Sequence, residues 1–289
     1  MFNSVLGTIG NTPIVRLEEF EKRYSANARL YAKLEYLNPF GSIKDRSALQ
    51  IIKDAEQNSL ISSKTVLEAT SGNLGIAIAA ISQIRGYKSI IVMPENASDS
   101  RKAFLKAYSS DIILTDVDKG MLGAIEKAKE IQYTTNAFYC DQFNNFSSIK
   151  AHYLYTSREI DKQMKGSVDM IICGIGSGGT ISGIASYFYE RKKSVKIVGV
   201  LPKSYPHSIQ GIGAGFTSSI LDIEKIDEIC YVSDFDALKY QKLLLKSSSI
   251  FVGISSGAVL AACMNILANG NFKDKNILMI FADGGERYI

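Results

Sequence analysis

Short apolar runs alternate with longer amphipathic segments along most of the chain. The apolar runs predict strands at 29–37, 65–69, 89–93, 111–115, 137–140, 168–173, 195–200 and 276–281. The segments between them carry apolar residues at helical spacing, and they predict helices at 44–58, 73–84, 98–108, 121–131, 147–164 and 180–190. Because strands that alternate with helices form βαβ units, the pattern predicts an α/β fold of mainly parallel, twisted sheets with helices on both faces.

The strand-to-helix loops are where we expect a ligand, since parallel sheets bind ligands beyond the carboxyl ends of their strands. The segment 204–227 interrupts the alternation, and we interpret it as an irregular loop over the sheet ends. A glycine-containing loop at 253–257 precedes an alanine-rich helix and is interpreted as a packing turn. No linker rich in Pro, Gly or Ser divides the chain, so only the number of βα units suggests a domain boundary, near 140–150.

The composition is that of an ordinary soluble globular protein. Apolar residues make up 46% of the 289 residues and charged residues 21%, which excludes a disordered chain. The net charge is +4 and no basic run is present, so we expect no nucleic-acid partner. No apolar stretch reaches the ~20 residues that a membrane-spanning helix needs, so we expect no membrane partner either.

The number and spacing of cysteines and histidines limit the kinds of site that the chain can form. The four cysteines are widely spaced and form no CxxC pair, which predicts buried thiols in a reducing compartment. The N-terminal residues lack a basic stretch followed by an apolar run, so we expect no secretory signal and a cytoplasmic protein. With two histidines and no HExxH motif, the sequence predicts no metal site.

The segment NPFGSIKDR, at 38–46, runs from a turn into a predicted helix and places Lys44 in the first helical turn. Ser42 is a candidate cap for this helix. A lysine gains nothing from the positive end of a helix dipole. One interpretation is therefore a solvated surface lysine, and the other is a reactive amine that forms a Schiff base and moves protons.

The segment GIGSGGT, at 174–180, follows a predicted strand and opens a helix. Glycines allow the backbone to approach an anion and to point several N–H groups at it, and hydroxyl donors are present as well. The sequence therefore predicts a phosphate site; the alternative is a tight packing turn. The proposed phosphate ligands are Gly174, Gly176, Ser177, Gly178, Gly179 and Thr180.

The same loop matches GxGxxG and so raises a nicotinamide-dependent oxidoreductase as an alternative. A dinucleotide site also needs an acidic residue at the end of the next strand, where this chain has Val198-Gly-Val-Leu-Pro202. A Walker motif is excluded because no Gly-Lys-Ser/Thr follows. A single phosphate on a small cofactor fits the segment better than a pyrophosphate.

A second anion-binding loop is TSGNLG, at 70–75, which also opens a helix and suits a small carboxylate. Its alternative interpretation is a simple helix cap. A lysine at one helix start, a carboxylate site at a second and a phosphate site at a third together match the needs of pyridoxal 5'-phosphate (PLP) and an amino acid.

With these motifs, the chain resembles the cysteine synthase (O-acetylserine sulfhydrylase) and cystathionine β-synthase family of fold-type II PLP enzymes. The resemblance extends from GNTP at 10–13 to GERY at 285–288 and includes GIGAGF and GISSGA. It implies two α/β domains that close on the substrate, a small mobile domain at 39–145 and a large domain at 1–38 and 146–289. It also implies a homodimer.

The resemblance assigns roles to individual residues. Lys44 is implied as the PLP lysine, and Asn73 is implied at the 3′-oxygen of the cofactor. Asp283 stands where the family has a serine at the pyridine nitrogen. The substrate carboxylate is implied at Gln142 and at the loop formed by Thr70, Ser71, Gly72, Asn73 and Leu74.

Three departures from the family pattern bear on specificity. Leu74 replaces a threonine, which removes a hydroxyl from the carboxylate loop. The resulting SGNLG motif resembles that of siderophore-precursor enzymes that use O-phosphoserine. An acidic residue, Asp283, replaces the serine near the C-terminus. The segment 232–236, which contains Asp234, lies where cysteine synthases tend to have threonine and asparagine. We expect either that Asp234 activates water or another nucleophile, or that it only caps a helix.

The sequence thus predicts a PLP-dependent β-replacing enzyme that acts on a three-carbon amino acid through an aminoacrylate. Activated serine and sulfide would give cysteine. The alternatives are conversion of L-cysteine to L-serine and hydrogen sulfide, synthesis of lanthionine or cystathionine, and a siderophore-precursor synthase that uses O-phosphoserine. A non-catalytic binding protein on the same fold is the alternative from a different class.

Overall fold

The computed structural model describes residues 1–191 and 194–288, which form two sheets flanked by helices. The strands are β1 (Ile14–Arg16), β2 (Arg29–Leu34), β3 (Thr65–Ala69), β4 (Lys88–Pro94), β5 (Asp111–Thr115), β6 (Phe138–Tyr139), β7 (Met170–Gly174), β8 (Lys196–Pro202), β9 (Glu228–Val232) and β10 (Asn276–Phe281). The helices are α1 (Glu18–Arg23), α2 (Lys44–Gln57), α3 (Asn73–Arg85), α4 (Asp99–Ala107), α5 (Gly120–Thr135), α6 (Ser147–Ala151), α7 (Ser157–Gln163), α8 (Gly179–Glu190), α9 (Asp234–Ser248) and α10 (Ile254–Ala268).

The larger sheet has six strands in the order β1-β2-β10-β7-β8-β9. Only β1 runs antiparallel to its neighbour; the other pairs are parallel. The smaller sheet has four parallel strands in the order β5-β4-β3-β6. Its strands lie within the segment 39–145 for which we predicted a small domain, and the division into two moving domains stays a prediction. The α/β fold class is confirmed.

The central strands of both sheets are buried, which explains why they are rich in apolar residues, whereas the edge strands β5 and β9 are mostly exposed or partly exposed. In β10, Met279 belongs to the core beneath α9 and α10, whereas Ile280 belongs to the core beneath α8. In β3, Val66 packs toward α2 and α3, whereas Leu67 packs toward α5. Successive side chains of a strand point to opposite faces, so each central strand supplies two cores.

Two predicted elements differ from the structure. The strand expected at 29–37 ends at Leu34, and a 3-10 turn follows at Glu35–Leu37, where the buried Glu35 carboxylate accepts hydrogen bonds from Arg46. The helix expected at 147–164 is interrupted by a π-helical segment, His152–Thr156, where Ser157 Oγ donates to the His152 carbonyl at 2.8 Å. The segment 204–227 is irregular apart from one 3-10 turn, as predicted.

No helix within the described ranges has both the length and the apolar character needed to cross a bilayer.

Candidate active site

Lys44 is the first residue of α2, and the chain before it is fastened to the end of β10. Ser42 forms an isolated antiparallel bridge with Asp283, and the Ile43 N–H donates to the Ala282 carbonyl at 2.8 Å. The Ser42 hydroxyl accepts a hydrogen bond of 3.2 Å from the Lys44 N–H, but the N-cap residue of α2 is Ile43, so the prediction that Ser42 caps this helix is wrong. The start of α2 is therefore held at the edge where the larger sheet ends.

The amine of Lys44 lies between this edge and the glycine loop, with Nζ 3.5 Å from Ser177 Oγ. Burial lowers the pKa of Lys44, while the Cys173 thiol and the Glu68 carboxyl partly oppose this shift. A lowered pKa raises the fraction of neutral amine, which is the nucleophilic form. These surroundings favour the reactive amine over the solvated surface lysine.

Arg46 fixes the same helix start from its other side, a role that we did not predict. Its guanidinium donates to Glu35 at 2.7 and 3.0 Å and to Glu159 at two distances of 2.7 Å. The Arg46 and Glu35 side chains are almost fully buried, at 2% and 0% exposure. The bonds tie α2, two residues beyond Lys44, to the end of β2 and to α7.

The glycine loop connects β7 to α8 and takes a conformation that depends on glycine. Gly178 has φ +88°, which L side chains rarely adopt. A Cβ on Gly176 would meet the Gly211 carbonyl oxygen at 2.5 Å, so the irregular segment packs closely on this loop. Ser177 is buried, and α8 begins at Gly179 with its free N–H groups at this loop. The arrangement suits an anion, as the sequence predicted.

His152 is a buried part of the site that the sequence did not reveal. Its Nε2 lies 3.2 Å from both Ser47 Oγ on α2 and Thr180 Oγ1 on α8, and its Nδ1 lies 2.9 Å from Thr156 Oγ1. Burial lowers the pKa of His152 well below its ordinary value, and the positive charges of Arg46 and Lys44 act in the same direction. A neutral imidazole therefore links the Lys44 helix to the glycine loop.

The TSGNLG loop connects β3 to α3. The Thr70 hydroxyl accepts a hydrogen bond of 3.2 Å from the Gly72 N–H, which shapes the turn. Ser71 and Gly72 are partly exposed, so both are accessible to a ligand. Leu74, by contrast, is 2% exposed and packs in the core between α2 and α3. The leucine at this position thus adds to the apolar core.

Asn73 and Asp283 meet just beyond the end of β10, where Asp283 also bridges Ser42, two residues before Lys44. Asn73 Nδ2 donates to Asp283 Oδ2 at 2.6 Å, and the Tyr288 hydroxyl donates to the same oxygen. Arg287 Nη1 donates to Asn73 Oδ1 at 2.7 Å. Asp283 is 2% exposed, yet its Oδ1 has no hydrogen-bond partner. Burial raises the pKa of Asp283, although the bonds from Tyr288 and Asn73 oppose this shift.

The two remaining predicted residues lie in different surroundings. Gln142 is buried, and its Nε2 lies 3.4 Å from both Glu68 Oε1 and the Ala69 carbonyl oxygen at the end of β3. Asp234 is the first residue of α9, and its carboxylate accepts a 2.6 Å hydrogen bond from the Ser208 N–H. Ser233, not Asp234, caps this helix. None of the contacts found among the described residues joins Asp234 to Lys44.

The residues around Lys44 fit PLP. The glycine loop offers hydroxyls and a helix N-terminus to a phosphate, and the neutral form of Lys44 suits an aldehyde. The unpartnered Oδ1 of Asp283 is a buried acceptor that a pyridine N–H would satisfy, and buried polar atoms normally have such partners.

Comparisons with known proteins agree with this chemistry. A family model described as pyridoxal-phosphate dependent enzyme matches residues 5–283. Cysteine synthase B of Campylobacter jejuni is 44% identical over an alignment of 293 positions, which covers 97% of this chain and 95% of that protein. Cysteine synthase A of Escherichia coli is 37% identical over 302 residues, covering 98% and 92%. A solved structure of a hydrogen sulfide-producing enzyme from Fusobacterium nucleatum matches 100% of both chains, with a TM-score of 0.95 and 36% identity.

The match of the family model and the identity to two cysteine synthases along nearly the whole chain confirm the resemblance drawn from the motifs. The chain belongs to the cysteine synthase family of pyridoxal-phosphate dependent enzymes.

Proposed function

We propose that this protein binds PLP and catalyses β-replacement on a three-carbon amino acid, with sulfide as an entering or leaving group. The observation that carries the proposal is the position of the Lys44 amine, 3.5 Å from Ser177 in the glycine loop, on a chain segment that Ser42 bridges to Asp283, the partner of Asn73. The Lys44–Ser177 contact supports a phosphate next to the amine. The Asn73–Asp283 pair supports a cofactor ring with a polar edge.

In this proposal Lys44 would hold the aldehyde carbon of PLP until the amino group of the substrate replaces it. The phosphate would be held by Gly174, Gly176, Ser177, Gly178, Gly179 and Thr180. Asp283 would hold the pyridine nitrogen with its unpartnered Oδ1, and Asn73 would hold the 3′-oxygen. When bound, PLP withdraws electrons from the substrate's Cα and makes its C–H bond acidic. The remaining steps depend on side chains of the protein.

The Lys44 amine moves the proton. Because burial lowers its pKa, the amine is available as a base that takes the proton from Cα and later returns it. The group at Cβ leaves with its bonding electron pair, and a nucleophile adds to the same carbon. One H–X molecule is released for each H–Nu molecule consumed, so the reaction needs no oxidant or reductant.

The substrate's carboxylate is assigned to the TSGNLG loop and Gln142. The free N–H groups at the start of α3 and the hydroxyls of Thr70 and Ser71 are suitable donors. Leu74 packs in the core, so in this chain the donors come from the residues before it.

Cysteine made from an activated serine and sulfide is the first candidate reaction, because the curated relatives named above are cysteine synthases. Release of hydrogen sulfide from L-cysteine is the second, since the matching solved structure is described as a hydrogen sulfide-producing enzyme. Asp234, at the strand-to-helix junction between β9 and α9, is the residue that we assign to activation of water or another nucleophile in this second reaction.

The proposal includes a homodimer in the cytoplasm and closure of the segment 39–145 over the substrate. The resemblance to the family supports the dimer and the closure. The cytoplasmic location is supported by four free cysteines.

The test is a product analysis with the purified, PLP-loaded protein. L-cysteine, O-acetylserine and O-phosphoserine are supplied separately, each with and without sulfide, and the products are identified by mass. We expect cysteine from an activated serine plus sulfide, or hydrogen sulfide with serine or lanthionine from L-cysteine. A PLP-loaded protein that changes none of the three substrates would overturn the proposal.

A further inference from the structure

Glu68 is a buried carboxyl group directly behind the loop that we assign to the substrate's carboxylate. It is the penultimate residue of β3 and is 0% exposed. Its Oε2 has no hydrogen-bond partner, and its Oε1 lies 3.4 Å from Gln142 Nε2. Within the described ranges, no lysine or arginine forms an ion pair with it. A charged carboxylate would be poorly compensated at this position.

The neighbours of Glu68 favour its neutral form. Burial and the negative charge of Asp141 raise the pKa of Glu68 well above its ordinary value, and the N–H groups of Gln142 and Ala69 oppose this shift only in part. This shift keeps the carboxyl neutral to a higher pH than an ordinary glutamate, and Glu68 ionises when the pH rises through its pKa in the folded protein.

Other titratable groups face Glu68 from α2 and from β6 with its following loop. On β6 and just beyond it, burial raises the pKa of both the Tyr139 hydroxyl and the Cys140 thiol, so neither contributes charge at neutral pH. On α2, burial lowers the pKa of the Lys44 amine, which also favours a neutral group. Among the described neighbours of Glu68, the negative charge of Asp141 is the one that opposes ionisation of its carboxyl.

The amide of Gln142 is held weakly. Its Nε2 points at Glu68 Oε1 and at the Ala69 carbonyl oxygen, and both separations of 3.4 Å are long for a hydrogen bond. A neutral Glu68 leaves this N–H₂ group available to a stronger acceptor. An ionised Glu68 would take it in a charge-assisted hydrogen bond, which is about twice as strong as a neutral one.

We propose that Glu68 is a positioning residue that, in its neutral form, leaves the Gln142 amide free for the substrate's carboxylate and, once ionised, withdraws it. The inference rests on the proposed function, because it takes Gln142 as a donor to that carboxylate. It adds a specific consequence, namely that substrate binding weakens at alkaline pH through a group that does not touch the substrate.

The test compares the wild-type protein with Glu68→Gln, which keeps the size of the side chain and removes its charge. The ligand is L-alanine, which has no leaving group, and its dissociation constant is measured from the cofactor absorbance at pH 6 to 10. We expect equal affinities at pH 6 and a wild-type dissociation constant that grows, relative to the variant, by up to about tenfold per pH unit above the pKa of Glu68.

Glu126→Gln, an exposed change on α5 with the same charge difference, is the matched control and should follow the wild-type curve. A Gln142→Ala protein provides a second comparison if Glu68→Gln fails to fold, and it should lose most of the relative alkaline weakening. A wild-type to variant ratio that stays constant across the pH range, with a normal cofactor spectrum, would overturn this inference alone. Absence of L-alanine binding at every pH would overturn the proposed function as well.

Discussion

The side-chain amide of Asn73 donates a 2.6 Å hydrogen bond to Asp283 Oδ2 across 210 positions of the sequence. Asn73 begins the helix after β3 of the four-stranded sheet, whereas Asp283 follows β10 of the six-stranded sheet. The bond therefore joins the ends of both sheets, next to the Ser42–Asp283 bridge that precedes Lys44. It also orients the Asp283 carboxyl so that its second oxygen stays without a partner.

We expect Asp283→Asn to weaken PLP binding. The change removes the charge that would meet the pyridine nitrogen, and loss of a buried charged hydrogen bond costs about 1.5–3 kcal/mol, or roughly ten- to a hundredfold in the dissociation constant. Titration of the apoprotein with PLP, followed by absorbance, measures the effect. Asp274→Asn, at an exposed aspartate, is the control and should leave the affinity unchanged. Equal affinities for the two variants would contradict the role given to Asp283.

The glycine loop can be tested with a pair of matched alanine substitutions. Gly178 and Gly86 both have positive φ, at +88° and +71°, so alanine strains the backbone at either site by about 1–2 kcal/mol. Only at Gly178 would the new Cβ also meet Leu221, at 2.8 Å; Gly86 faces open space. We expect both variants to unfold at lower urea concentration, and Gly178→Ala alone to bind PLP more weakly. The same PLP affinity in both proteins would show that the loop does not hold the phosphate.

His152 should make the fold sensitive to acid. Because its pKa in the folded protein lies well below 6.5, the unfolded chain binds a proton near pH 6 that the folded chain does not. Stability then falls as the pH drops below 6.5, by up to about 1.4 kcal/mol per pH unit from this residue.

Urea unfolding of the wild type, His152→Gln and His207→Gln between pH 7 and 5 measures how much His152 contributes to the pH dependence of the free energy of unfolding. We expect a smaller loss of stability toward pH 5 in His152→Gln, while His207→Gln follows the wild type. If all three proteins lose stability equally, the buried neutral imidazole is not the source of the acid sensitivity.

Asp234 bears on the direction of the reaction. If it activates water or a second nucleophile, Asp234→Asn should slow hydrogen sulfide release from L-cysteine by roughly a hundredfold, a typical contribution of a general base. Cysteine formation from O-acetylserine and sulfide should change little, since sulfide needs no such base. Asp236→Asn, on the same helical turn, is the control. A similar loss in both reactions would remove Asp234 from this role.

The sequence predicted best what depends on local pattern. The predicted strands at 65–69, 111–115 and 276–281 have the same bounds as β3, β5 and β10, because each is a short run rich in apolar residues between polar segments. The strand β9 was not predicted; it forms an edge of the larger sheet and includes exposed and partly exposed residues. The helix α9 that follows was expected only in the alternative interpretation of Asp234 as a cap, and the capping residue is Ser233.

The site residues that could be predicted are likewise those that lie in a local sequence pattern. Lys44 and the glycine loop lie on segments whose residue order carries the signal, so they could be found from the sequence. His152 and Glu68 could not, because each acquires its role from contacts such as His152 to Ser47, across 105 positions, and Glu68 to Gln142, across 74. Their types give no local signal, since a histidine or glutamate in an apolar run is usually only a satisfied core residue.

The central claim is that Lys44 carries the cofactor. The direct measurement is to load the protein with PLP, reduce it with borohydride, digest it and locate the phosphopyridoxyl group by mass spectrometry. We expect the label on Lys44 and an absorption band at about 410 nm before reduction. Both should be lost in Lys44→Ala and kept in Lys53→Ala. A label on another lysine, or none on a protein that still turns over its substrate, would contradict the account.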